Sequence, residues 1–130
     1  MNRVVAHFQD GRLLKGFTYD FLPGREAFHL AGAAPGARPV KVPVAELKAI
    51  FFVKSFDGDP QRPKVTDPAA TEAGPGRRIR IVFKDGEVLV GTTQGYNPSR
   101  PGFFVVPADP ESNNERCYVV AAATREVGFL

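Results

Sequence analysis

The stretch Arg3-Val-Val-Ala-His-Phe8-Gln-Asp10-Gly11-Arg-Leu-Leu-Lys-Gly16-Phe-Thr18 returns 75 residues later as Arg78-Ile-Arg-Ile-Val-Phe83-Lys-Asp85-Gly86-Glu-Val-Leu-Val-Gly91-Thr-Thr93. In both copies apolar residues alternate up to a phenylalanine, an Asp-Gly pair follows, and a second run carries a glycine at its middle. Alternation is the mark of a half-buried strand, and Asp-Gly between two such runs is a leading hairpin signal. A glycine inside a strand marks a sharp bend or a close backbone approach. One such pattern predicts a hairpin. Its recurrence predicts a duplicated β fold.

Working outward, Arg3 to Ala31 lies on Arg78 to Val106 without a gap, with 10 of 29 positions identical, including Pro23/Pro98, Arg25/Arg100 and Phe28/Phe103. Two extra residues in the second copy move the offset to 77, and Val42 to Val53 then falls on Val119 to Leu130. Each copy reads as five short strands with a bent second strand and a helical turn before the fifth. The fold expected is all-β: two repeated five-stranded SH3-like/Sm-like small barrels. The first spans residues 1–56 and the second 78–130. Residues 57–77, rich in Pro, Gly and Asp, form the linker. Units this small bury little apolar surface alone. They are therefore expected to pack together, through a shared sheet or abutting barrels.

With 130 residues, 43% hydrophobic and 24% charged, the chain has the composition of a packed globular protein. No apolar run approaches the ~18 residues of a membrane span, and the alternating start has no signal-peptide core. A single cysteine, Cys117, makes no internal disulfide. These features point to the cytoplasm. The net charge of +3 is uneven: residues 1–56 carry eight Lys/Arg against four Asp/Glu, and residues 78–130 carry six against six. Only the first copy is basic, and it lacks the dense stripe usual in nucleic-acid binders.

The run Val5-x-x-Phe8-x-Asp10-Gly11-Arg12-x-x-x-Gly16-x-x-x-Asp20 resembles the first signature of Sm-like proteins, which implies a small barrel and a capacity to grip RNA. The Asn that follows in that family is absent from Phe21-Leu22-Pro23-Gly24-Arg25, and residues 44–50 lack the family's second motif. Asn97-Pro98-Ser99-Arg100-Pro101-Gly102 is similar to the [Asp/Asn]-x-Ser-x-x-Gly pattern of PilZ domains, preceded by Arg77-Arg78-Ile79-Arg80 where that family has an Arg-x-x-x-Arg element. This resemblance implies a cyclic-di-GMP receptor using Arg77, Arg78, Arg80, Asn97, Ser99 and Gly102, with guanidinium planes stacking on guanine and pairing with phosphate. The arginine spacing departs from that pattern by one residue. A hairpin loop that needs Asn, Pro and Gly for its dihedrals is the competing reading. The chain as a whole looks like uncharacterised bacterial domains of PilZ-like type.

Other candidates reduce to structural roles. Arg25 and Arg100 sit in equivalent Pro-x-Arg-x-x-Phe loops, positioned either to meet an anionic partner or to stack on Phe28 and Phe103. His7 and His29 are not duplicated, so no metal site is expected. Asp109, Glu111, Asn113 and Glu115 alternate like oxygen ligands, but Asn114 and Val120 stand where a calcium loop needs Gly and Glu. Cys117 reads as an apolar filler, and no nucleophile elbow or phosphate loop occurs. No cofactor and no enzymatic activity are expected. The function expected is a non-catalytic interaction module, a bacterial regulatory or adaptor protein. Its partner would be another protein or a second copy, met through Arg25, Arg100 and the exposed-looking aromatics Phe17, Tyr19, Phe21 and Tyr96. The alternatives are a cyclic dinucleotide and then RNA, with no membrane role.

Overall fold

The computed structural model describes residues 2–32, 36, 38–56, 76–108 and 113–130. Among them are ten strands: β1 Asn2–Phe8, β2 Leu13–Thr18, β3 Ala27–Leu30, β4 Val40–Pro43, β5 Leu47–Val53, β6 Arg77–Phe83, β7 Val88–Thr93, β8 Gly102–Pro107, β9 Asn114–Val120 and β10 Thr124–Phe129. Single 3-10 turns, Val44–Glu46 and Ala121–Ala123, precede β5 and β10. The protein is all-β, and no described helix is long and apolar enough to cross a membrane. Most of the linker expected at 57–77 lies outside the described residues; its last residue, Arg77, opens β6.

The hairpin reading holds at atomic detail. Asp10 Oδ1 accepts the Arg12 N–H at 3.0 Å and Asp85 Oδ1 accepts the Glu87 N–H at 2.9 Å. Gly11 and Gly86 both sit at φ +93°, where any side chain would be strained. The ladders then repeat at the offsets of the sequence match. Asn2 pairs with Thr18 as Arg77 pairs with Thr93. Phe28 pairs with Val42 as Phe103 pairs with Val119. Ala6 pairs with Ile50 as Ile81 pairs with Val127. Both ladders to β5 and β10 slip at the same place, passing over Lys48 and Arg125.

Closed barrels are not what forms. One open eight-stranded sheet runs β10-β6-β7-β8-β9-β5-β1-β2, and β3-β4 is a separate pair joined to β2 by the Phe17–Ala31 bridge. The reason lies in β5. Its residues Leu47-Lys-Ala-Ile-Phe-Phe-Val53 are all buried, so neither face nor edge of this strand is suited to water. β1 covers one edge and β9 the other, through pairs such as Ile50–Tyr118 and Phe51–Cys117. A strand apolar on both faces belongs between two cores, and two cores flank it. One gathers Val4, Ala6, Phe28, Val42, Ile50 and Phe52, with Tyr118 and Val120 arriving from β9. The other gathers Ile79, Ile81, Phe83, Phe103 and Val119, with Ala49, Phe51 and Val53 arriving from β5. The expected sharing of a sheet is thus reciprocal, each half lending side chains to the other's core.

Lys48 seals the joint. As the residue skipped by the ladder slip it is turned inward, since an irregularity of this kind re-aims a side chain, and only 8% of it is exposed. Its Nζ donates to Asp85 Oδ2 at 2.7 Å and Glu87 Oε1 at 2.8 Å, and lies 4.7 Å from the centre of the Phe83 ring. Burial alone would lower the Lys48 pKa, but the bonds to Asp85 and Glu87 outweigh it and the pKa is raised. The same bond to Lys48, with the Glu87 N–H, holds the Asp85 carboxyl below the ordinary aspartate value. A depressed carboxyl contributes stability above its unfolded pKa, and a raised ammonium contributes below its own. Their window therefore runs from about pH 4 to about pH 10.5. Lys48→Met is expected to cost about 2 kcal/mol at pH 7, the scale of charge-assisted hydrogen bonds. The gap to wild type should shrink in urea titrations as the pH is lowered from about 4 through the depressed Asp85 pKa.

Candidate functional site

Among the described residues a cleft of about 640 Å³ opens where the ends of β7, β8 and β9 meet the Pro23–Gly24 loop. Its floor is aromatic. Tyr118 is 2% exposed and lies against Gly102, where a Cβ would fall 2.5 Å from the ring. Its ring centre is 5.1 Å from that of Phe21 and 5.2 Å from that of Phe104. Burial pushes the Tyr118 hydroxyl pKa up, against the smaller opposing effects of the Gly24 N–H that it accepts and the Arg100 charge. The floor is therefore a neutral phenol tied to the loop of the other half.

Two cations line the cleft, Arg100 and Arg116, with Thr92, Thr93 and Gln94 as further polar groups and, among the described residues, no Asp or Glu. The Arg116 guanidinium carbon sits 4.3 Å from the Phe52 ring centre and 4.9 Å from that of Phe104. Stacking fixes the plane of the guanidinium and leaves its N–H edges for an acceptor. Among the described residues neither arginine is in an ion pair. An aromatic floor with a few convergent polar groups and a volume between about 300 and 1,000 Å³ describes a ligand site. Such a lining would suit an anion.

The residues singled out from the sequence distribute unevenly around this cleft. Arg100 and Gly102 line it, while Arg77, Arg78, Arg80, Asn97 and Ser99 do not. Arg77 is stacked on Phe129, 3.8 Å from its ring centre. Asn97 Oδ1 accepts both the N–H of Ser99 at 2.9 Å and its hydroxyl at 2.7 Å, and the Asn97 carbonyl accepts the Arg100 N–H. The Asn-x-Ser pattern is thus a turn that satisfies itself. Arg25, exposed in the first half, closes the same backbone turn by donating to Leu22. The stacking expected of Arg25 on Phe28 and of Arg100 on Phe103 is not among the cation–π contacts of the described residues.

The expectation of four exposed aromatics needs correction. Only Tyr19 is open to solvent, at 77%. Phe21 packs on Phe28, Phe52, Phe104 and Tyr118. Phe17 meets Phe56 edge-on, and Tyr96 is held between Phe103 and Phe129. The apolar patches left by a lone small unit are covered here by the neighbouring half and by the loops. Cys117 is fully buried and burial raises its thiol pKa, so it is held protonated. His29 Nδ1 lies 2.7 Å from Asp20 Oδ2. Among the described residues no group of three potential ligands could hold a metal ion; Asp109 and Glu111 lie outside them.

Sequence reasoning missed Arg116, Phe104 and Tyr118. Their signal was a contrast between the copies, since they stand where the first copy has Pro39, His29 and Lys41.

Fold and cleft together define an all-β protein with two cores and an arginine-lined aromatic cleft. Residues 1–130 match a family of unknown function (DUF6982), and the chain belongs to that family. No curated protein and no solved structure matches it.

Proposed function

We propose that the chain is a non-catalytic binding module made of two fused five-stranded SH3-like/Sm-like units, and that it holds an acidic segment of a protein partner in the cleft lined by Arg100 and Arg116. The observation that carries this reading is the pair of guanidinium groups above an aromatic floor, with no carboxylate beside them among the described residues. The coincident ladders, down to the slips at Lys48 and Arg125, support the two-unit description. The exposed Leu22 and Val106, one beside the cleft loop and one in the cleft wall, suit the apolar side chains of a peptide. An adaptor role in a bacterial cytoplasm is the setting this reading favours.

The reading is tested by anisotropy with a labelled Glu- and Tyr-rich peptide. Binding at about 100 µM or tighter, roughly −5.5 kcal/mol, is expected at low salt and should weaken as salt rises. Arg100→Ala and Arg116→Ala should each weaken it about tenfold, near 1.4 kcal/mol. Undiminished binding by the double variant would place recognition elsewhere.

A cyclic dinucleotide is the second reading, favoured by the stacked guanidinium of Arg116, which matches a base plane or a phosphate. It relies on Arg100 and Arg116 rather than on Arg77, Asn97 and Ser99. Calorimetry with cyclic-di-GMP against the same two variants separates it from the peptide reading. RNA ranks third, resting on the basic first half, and calls for salt-sensitive retention of single strands.

A further inference from the structure

The β5–β9 joint has two outer counterparts, because equal registers make β10 the equivalent of β5 and β4 the equivalent of β9. The outer edges of β10 and β4, unpaired among the described residues, therefore have the geometry to meet across two molecules as β5 and β9 meet within one. Such a contact is head-to-tail, and repetition would give rings or open fibres. At the internal joint, Ala49 and Phe51 of β5 enter the second core, while Tyr118 and Val120 of β9 enter the first. The matching residues are Glu126 and Gly128 on β10, and Lys41 and Pro43 on β4. Of the five apolar side chains that cross the internal joint, these four are replaced at the outer edges by a charge, a glycine or a proline, while Val53 corresponds to Leu130 at the end of the chain beyond β10.

We infer that these four residues close the chain to a second copy, so that the joint forms once, inside the molecule, and the two edges stay unpaired. A second copy laid on β10 by the rule of β5–β9 would set Glu126 opposite its Val42, the equivalents of Ala49 and Val119. Val42 is 1% exposed within the first core, so the carboxylate would be carried into an apolar interior without a partner. Gly128 would bring no side chain in place of Phe51, and Pro43 lacks an N–H where β9 has Val120. Inward charges and prolines on edges are the devices by which sheet proteins avoid edge-to-edge growth. This inference replaces self-association as the use of the edges and does not depend on what the cleft binds.

Light scattering after size exclusion, from roughly 10 to 500 µM so that weak contacts are sampled, should give 14.1 kDa throughout. A mass that grows with concentration would overturn the inference. Two complementary variants then restore one edge each: Glu126→Ala/Gly128→Phe on β10 and Lys41→Tyr/Pro43→Val on β4. Glu126 and Gly128 are exposed, and a Cβ at Gly128 meets nothing within 4 Å. Each variant alone should stay monomeric, and their mixture should give a species of twice the mass with no larger product. Two folded variants that ignore each other when mixed would show that the four residues are not what keeps the edges apart. If Pro43→Val impairs folding by circular dichroism, Lys41→Tyr alone serves as the β4 partner.

Discussion

Gly91→Val is expected to leave the chain unable to fold at 37 °C. Gly91 lies on β7 beneath β8, and a Cβ there would stand 2.1 Å from the Val106 carbonyl oxygen and 2.9 Å from its carbon. Both are backbone atoms of a paired strand, so no rotamer change relieves the contact. β7 and β8 must separate at the Gly91–Pro107 and Thr92–Val106 pairs, which are the described pairs of that ladder. Overpacking a core costs about 1–3 kcal/mol when side chains can yield. A clash with backbone at a two-pair ladder exceeds that, and small domains have only about 5–15 kcal/mol in all. Gly16→Ala is the milder comparison, with its Cβ 2.7 Å from the Ala31 carbonyl oxygen at a single bridge. Urea midpoints should fall in the order wild type, Gly16→Ala, Gly91→Ala, with Gly91→Val insoluble or unfolded by circular dichroism. Equal midpoints for wild type and Gly91→Ala would mean that β7 and β8 do not approach so closely.

The glycines were legible because steric demand is local: a strand that must let another backbone pass has no other residue to use. The strands that open each copy were legible for the same reason, since the alternation running up to Phe8 and Phe83 marks β1 and β6. What periodicity does not encode is which edges meet. The clue was present in β5, whose unbroken apolar run from Ala49 to Val53 fits a strand buried on both faces rather than the last strand of an isolated barrel. The cleft was harder to read. Arg116, Phe104 and Tyr118 belong to no motif; Phe104 and Tyr118 converge as partners in the β8–β9 register, with Arg116 two residues before Tyr118 on the same strand, and register is not written in periodicity. Asn97-x-Ser99 matched a motif, and in the fold the two residues are bonded to each other within a turn. A short pattern in a loop rich in Pro and Gly reports dihedral needs before it reports a ligand.

Tyr118→Ala should destabilise the protein by about 3–5 kcal/mol, the cost of emptying a buried aromatic site, and should do so in one cooperative step. Tyr118 belongs to β9 by backbone but fills the first core, beside Phe21 and Phe104 and across from Ile50. Its ring rests on Gly102 and its hydroxyl accepts the Gly24 N–H, so one side chain ties together the second half's β8, the first half's loop and the cleft floor. Truncation would therefore weaken both halves at once, because β5 lends residues to one core and receives them in the other. Tyr118→Phe keeps the ring and loses only the hydroxyl's bond, at about 1 kcal/mol. It should retain peptide binding within a few-fold, whereas Tyr118→Ala removes the floor that supports Phe104, on which Arg116 stacks. Urea unfolding followed by far-ultraviolet circular dichroism and by tyrosine fluorescence should give coincident curves for all three proteins. Separate transitions in Tyr118→Ala would mean that the halves fold independently. The exchange of side chains through β5 and β9 makes the opposite outcome the expected one: two small cores, each incomplete alone, stand or fall as a single unit.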